Sequence, residues 1–187
     1  NEYYDFELLD KLIDNIENII TSQDNVCAIL VEPIQCTNGD RYFPQDFFLK
    51  LRFISEKFDV PLIFDEIQTG FGATGKIWYF ENTEIVPDIL IFGKKTQLSG
   101  IAVQDKFSKI FESPLRLEVT WDADIIDMIR CNYIMKVFEE ESLLENVNNK
   151  SEIFLKNLKN INFLRNVRNS GLLFAFDFDT KELRDKF

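Results

Sequence analysis

Three short, unbroken apolar runs limit what this chain can fold into: Val26-Cys27-Ala28-Ile29-Leu30-Val31, Pro61-Leu62-Ile63-Phe64 and Ile89-Leu90-Ile91-Phe92. A run of this length with no polar alternation is the mark of a strand covered on both faces. Between the first two lies helical spacing, with Phe47, Phe48, Leu51, Ile54 and Phe58 on one face of a helix predicted over Gln45 to Phe58. Strand, helix, strand, short helix, strand then gives a mainly parallel α/β sheet with crossover helices. Within the first run, Cys27 reads as a small core residue.

The flanks fit that plan. Phe6, Leu9, Leu12, Ile13, Ile16 and Ile20 predict an amphipathic helix over residues 6–20. Cys36 to Arg41 reads as a loop around Asn38-Gly39-Asp40, and a short helix is expected from Ile77 to Glu81. Further on come helices over Ile125–Glu141 and Glu145–Lys159, then strands over Phe163–Val167 and Leu172–Phe178. The division expected is residues 1–143 as part of a larger α/β domain with its connecting helix, and 144–187 as the start of a smaller α+β C-terminal domain.

Charge and composition remove several classes of function. The formal net charge is −11, a sign that repels phosphate backbones and anionic lipid, so no nucleic-acid or membrane partner is expected. No apolar stretch is long enough to span a bilayer, and Asn1-Glu2-Tyr3-Tyr4-Asp5 does not resemble a secretion signal. Three cysteines without CxxC spacing point to a reducing, cytoplasmic setting rather than disulfides or zinc. The chain contains no histidine, which excludes imidazole metal ligation and every Ser-His or Cys-His nucleophile pair. No metal is expected.

Chemistry must therefore come from other side chains. Ligands of parallel sheets bind at the carboxyl ends of the strands. Glu32, Asp65 and Lys94 stand at the ends of the three apolar runs. An acid and an amine at adjacent strand exits suit pyridoxal phosphate, which takes a lysine as Schiff-base partner and an acid beside its pyridine nitrogen. Gly70-Phe71-Gly72-Ala73-Thr74-Gly75 matches GxGxxG, yet four residues separate it from its strand and no acid follows at the proper distance. It reads better as a turn in which backbone passes close to a neighbour.

Asp65-Glu66-Ile67-Gln68-Thr69-Gly70-Phe71-Gly72-Ala73-Thr74-Gly75, Val31-Glu32-Pro33-Ile34-Gln35, Pro87-Asp88-Ile89-Leu90 and Gly93-Lys94 together resemble the class III (omega) aminotransferases. These are pyridoxal-phosphate enzymes of fold type I. Phe92-Gly93-Lys94-Lys95-Thr96-Gln97, with Gly100 following, is most similar to the L-lysine 6-aminotransferases within that family. The resemblance runs from about Ile16 to the end. It implies Lys94 as the Schiff-base and proton-transfer residue, with Lys95 as its rival. Asp65 would face the pyridine nitrogen, Gln68 the phenolic oxygen and Ile67 the ring face. Thr120, in Val119-Thr120-Trp121, would reach the cofactor phosphate of the neighbouring subunit in a homodimer. The implied reaction moves the terminal amino group of L-lysine to 2-oxoglutarate. Another omega-aminotransferase, of 4-aminobutyrate or ornithine type, and a decayed non-catalytic scaffold are the alternatives.

Departures from the family pattern bear on the last of these. Thr37 stands where the family has Glu, Glu118 where the lysine aminotransferases have Asn, and Asp122-Ala123-Asp124 replaces a glycine-rich stretch. Arg168-Asn169-Ser170-Gly171 stands for the usual Arg-Gly-x-Gly. Family members are more than twice this length, and the portions beyond the match supply the main phosphate loop, the aromatic ring stacked on the cofactor and two substrate-binding arginines. The 187 residues alone are therefore expected to bind pyridoxal phosphate weakly and not to turn over.

Overall fold

A buried carboxylate, Asp88, joins the pieces of the main sheet. It is 1% exposed and lies just before β5 (Ile89–Phe92). Its Oδ2 accepts the N–H of Leu62 at 2.8 Å, at the start of β4 (Leu62–Asp65). Arg52, on α2 (Gln45–Phe58), donates to the same oxygen at 3.0 Å, and Lys106 pairs with Oδ1 at 2.7 Å. Main-chain bonds repeat the tie, Asp88 N–H to the Leu62 carbonyl at 2.8 Å and Gln104 N–H to the Asp88 carbonyl at 3.0 Å. A computed structural model describes residues 6–114, 116–117 and 124–186.

Around this centre the main sheet runs β1 (Ile29–Val31), β4, β5, β6 (Gly100–Val103). The first three strands are parallel, with Val31 opposite Phe64 and Asp65 opposite Ile91. β6 is antiparallel to β5 and forms the far edge. Helix α1 (Phe6–Ser22) lies along α2, fastened by Lys50–Asp10 at 2.6 Å and by Lys57–Glu17. One face of the sheet carries the core: Phe48 of α2 meets Phe64 and Tyr79, and Phe43 stacks on Phe47 at 4.5 Å. Apolar area removed from water here is what holds α2 on the sheet.

The second part consists of α3 (Ile125–Glu140), α4 (Leu143–Lys159), the antiparallel pair β7 (Leu164–Ser170) and β8 (Leu173–Phe178), and α5 (Lys181–Arg184). Asp124, the last residue of the stretch that departs from the family's glycines, accepts the N–H groups of Ile126 and Asp127 and so caps α3. The Gly70–Gly75 turn meets this part closely. A Cβ on Gly72 would lie 2.4 Å from the Phe138 ring, and one on Gly171 would lie 2.4 Å from the Ala73 carbonyl oxygen. Leu172 N–H donates to that carbonyl at 2.8 Å. The glycines thus admit a helix and a hairpin turn against the backbone, and the GxGxxG match has a packing cause.

Several expectations need correction. β1 is not covered on both faces: it is an edge strand, Leu30 is 61% exposed, and pairing begins only at Ile29. Cys27 is exposed, because it precedes the paired residues. The 36–41 loop is bracketed by a small antiparallel ladder, β2 (Ile34–Gln35) with β3 (Arg41–Tyr42), around a 3₁₀ turn. The short helix expected over Ile77–Glu81 is a 3₁₀ turn at Tyr79–Asn82. The antiparallel β6 went unforeseen.

Burial by itself would raise the Asp88 pKa, but the bonds from Arg52, the Leu62 amide and Lys106 outweigh it and hold the carboxyl below its usual range. Its stabilising contribution is therefore full at neutral pH and is lost only as pH falls below that range. Asp88→Ala should lower unfolding free energy in urea at pH 7 by about 3 kcal/mol, since it leaves the guanidinium of Arg52 without its buried partner. A loss under about 1 kcal/mol, the value of an exposed pair, would show that the carboxylate does not bind these elements together.

Candidate active site

Parallel β4 and β5 end side by side, so the residues that leave them face one another across a narrow gap. Asp65 closes β4, half-buried, and its Oδ1 accepts the N–H of Ile67 at 3.0 Å. The carboxylate thereby shapes its own turn, as an Asx residue does. Glu66 points the other way and is 1% exposed. It accepts the N–H groups of Tyr79 and Phe80, the latter at 2.9 Å, and the Thr69 hydroxyl at 3.3 Å. The turn carrying Ile67 and Gln68 is anchored from below by that buried acid.

β5 leaves through Gly93 into a 3₁₀ turn, Lys94–Thr96. A Cβ at Gly93 would lie 2.9 Å from Ser99 Oγ and 3.7 Å from Ile67, a passage open only to glycine without adjustment. Lys94 adopts φ 56, a left-handed backbone uncommon for a long side chain. Its amine donates to Gln68 Oε1, and the Lys95 amine donates to the Gln68 carbonyl at 2.7 Å. Lys94 is exposed, whereas Lys95 is half-buried. Burial, and then the charge of Lys94, push the Lys95 pKa down. Of the two amines it is thus the second that is partly buried, because the 3₁₀ turn leaves the first lysine exposed.

Asp65, Ile67, Gln68 and Lys94 are thus brought to two adjacent strand exits. Thr120 and the departures at Glu118 and Asp122 lie outside the described residues. Thr37 is exposed, in the 3₁₀ turn between β2 and β3. Next to it, Cys36 is half-buried; burial first, then Asp40, push its thiol up to about 11, against the opposing charge of Lys94. Arg168 donates to the carbonyls of Gly39 at 2.8 Å and Asp40 at 3.2 Å, fastening β7 to this turn. The reading from sequence missed Glu66 and the use of Lys95. The signal for Glu66 was an acid directly after the buried end of a strand, where alternation places it inside.

The set fits the cofactor that its chemistry implies. It offers one accessible amine, one carboxylate, one primary amide and an apolar side chain at the strand exits. Among the described residues no group of three or more Cys, Asp or Glu could hold a metal ion, and no helix is long and apolar enough to cross a membrane.

A family description, Aminotransferase class-III, matches residues 3–186. This chain belongs to the class-III aminotransferases. Among class-III relatives, the L-lysine-epsilon aminotransferase of Mycobacterium tuberculosis is 35% identical over 175 residues, covering 89% of this chain and 39% of that protein. The 4-aminobutyrate aminotransferase of Schizosaccharomyces pombe is 34% identical over 188 residues, covering 95% and 39%. The solved lysine aminotransferase from M. tuberculosis superposes with a TM-score of 0.90 at 32% identity, over 96% of this chain and 43% of that one. Ornithine delta-aminotransferase of Plasmodium falciparum gives 0.77 at 29% identity, over 89% and 45%. The chain therefore spans about two-fifths of the length of the relatives it matches, and the α/β fold expected from the resemblance holds over that span.

Burial is the main influence on Glu66 and pushes its carboxyl up to about 7, against the pull of the Tyr79 and Phe80 amides. A carboxyl raised on folding binds its proton more tightly in the folded chain, so stability falls as pH climbs from the unfolded value through 7. The urea midpoint should accordingly drop between pH 5 and pH 8, and Glu66→Gln should flatten that slope. With no histidine in the chain, few other groups titrate in this window. A slope that persists in the Gln variant would contradict the assignment.

Proposed function

We propose that these residues form the cofactor-lysine portion of a pyridoxal-phosphate-dependent aminotransferase, acting on the terminal amino group of L-lysine with 2-oxoglutarate as acceptor. The observation that carries this reading is the meeting of Lys94 and Gln68 beside Asp65 at the exits of β4 and β5. The bound cofactor supplies an electron sink for the carbanion formed when a proton leaves the amine-bearing carbon. Lys94 is the residue to carry that proton, its amine being accessible and held by a neutral amide rather than by an acid. Asp65 would keep a proton on the pyridine nitrogen. Gln68, whose Oε1 receives Lys94, retains its Nε2 as donor to the phenolic oxygen, and Ile67 would cover the ring.

L-Lysine as donor is supported by the Gly93-Lys94-Lys95-Thr96-Gln97 segment and by the relatives named for that substrate. The 4-aminobutyrate and ornithine relatives keep those two amines as alternatives. A cytoplasmic homodimer, with Thr120 reaching the neighbouring subunit's phosphate site, completes the proposal. A non-catalytic scaffold is the second reading; the engagement of Asp65 in its own turn favours it.

Borohydride reduction after addition of pyridoxal phosphate, followed by peptide mass spectrometry, decides between the two readings. The label should sit on Lys94, vanish in Lys94→Ala and, where it forms in Lys95→Ala, still sit on Lys94. Added before the borohydride, L-lysine should prevent that labelling at lower concentration than 4-aminobutyrate or ornithine. A label on Lys95 would move the role to the second lysine, and scattered labelling of surface lysines would favour the scaffold.

A further inference from the structure

Two consecutive lysines close on one residue from the end of β5. Successive residues of an extended strand point to opposite faces, so neighbours seldom share a target. Here they do, because the chain has left the strand before either of them: Gly93 stays extended, Lys94 turns to φ 56 and both lysines lie in the 3₁₀ turn. A non-glycine residue held there is strained and persists only where its surroundings fix it. Two contacts on Lys94 itself help, since the main-chain N–H of Gln97 and its side-chain amide both return to the Lys94 carbonyl, at 2.9 and 3.1 Å. The rest comes from across the gap, where Gln68 receives one lysine on its side chain and the other on its backbone.

The two contacts differ in kind. Gln68 Oε1 ends a flexible side chain, and its position depends on the turn beneath it. The Gln68 carbonyl belongs to that turn, and the half-buried Lys95 amine holds it with a charge-assisted bond. Below, Glu66 fixes the same turn from the core side.

We propose that Lys95 is a positioning residue for Lys94: by clasping the Gln68 carbonyl it fixes the turn after β4, and with it the amide oxygen that receives the Lys94 amine. The clasp belongs to the chain without any cofactor; only its consequence for cofactor attachment rests on Lys94 having the role proposed above. Lys95 is on this view neither a spare Schiff-base lysine nor a solvated companion.

Hydrogen exchange tests the clasp directly. The amides of Ile67 and Gly70 bond within the turn, to Asp65 Oδ1 and to the Glu66 carbonyl. In Lys95→Met both should exchange about tenfold faster, the worth of one charged hydrogen bond, while the α2 amides of Leu51 and Ile54 keep their rates. Borohydride-trapped pyridoxal phosphate on Lys94, measured against the exposed Lys181 in the same digest, should fall by a similar factor. In a Gln68→Ala background, Lys95→Met should lower it no further, because the route runs through that side chain.

Unchanged exchange at Ile67 and Gly70 would overturn the proposal, as would equal acceleration in α2, which marks general loosening. Faster exchange with undiminished labelling of Lys94, or an additive loss in the double variant, would overturn it as well. Absence of label from Lys94 in the unsubstituted chain would instead defeat the cofactor reading, leaving the exchange rates to decide the clasp.

Discussion

The Asp88 carboxylate is the constraint on which the sheet's geometry depends. It receives α2 through Arg52, the first residue of β4 through Leu62 and the segment after β6 through Lys106. A charge so deeply placed is tolerable only when paired and hydrogen-bonded. Those requirements fix where β4 begins relative to β5. The register that follows sets Asp65 opposite Ile91, and three residues later the chain reaches Lys94. The placement of acid and amine at the top of the sheet is thus decided at the bottom of it.

The upper end is held by a second buried acid. Glu66 gathers the amides of the Tyr79–Asn82 turn beneath the Gln68 loop, and the two lysines meet that loop from the other side. The glycine turn that follows is committed to packing: Gly72 admits Phe138, and Ala73 pairs with Leu172. The site's residues therefore sit on a short loop tied at both ends, which is how a strand-end site keeps its geometry without lying inside a strand.

Much of this could be read from sequence where burial and period agree. α2 and β5 have the predicted bounds because their apolar spacing continues to their last residues. β1 was overestimated because an unbroken apolar run looks the same at an edge as at the centre. β6 was invisible, since Gly100-Ile101-Ala102-Val103 is too short to state its direction. Asp65, Ile67, Gln68 and Lys94 were named from position and resemblance, and the structure places them at two adjacent strand exits. Lys95 was weighed only as a rival amine: its role depends on a left-handed residue before it, and no propensity of lysine foretells φ 56. The exposure of Lys94 and the burial of Lys95 likewise follow from that one dihedral.

The most direct measurement is a crystal structure of the chain soaked with pyridoxal phosphate. The account predicts density continuous from Lys94 Nζ, with the ring between Ile67 and the ends of β4 and β5, Asp65 toward its nitrogen and Gln68 toward its phenolic oxygen. Density joined to Lys95, or a cofactor bound away from those strand ends, would contradict it.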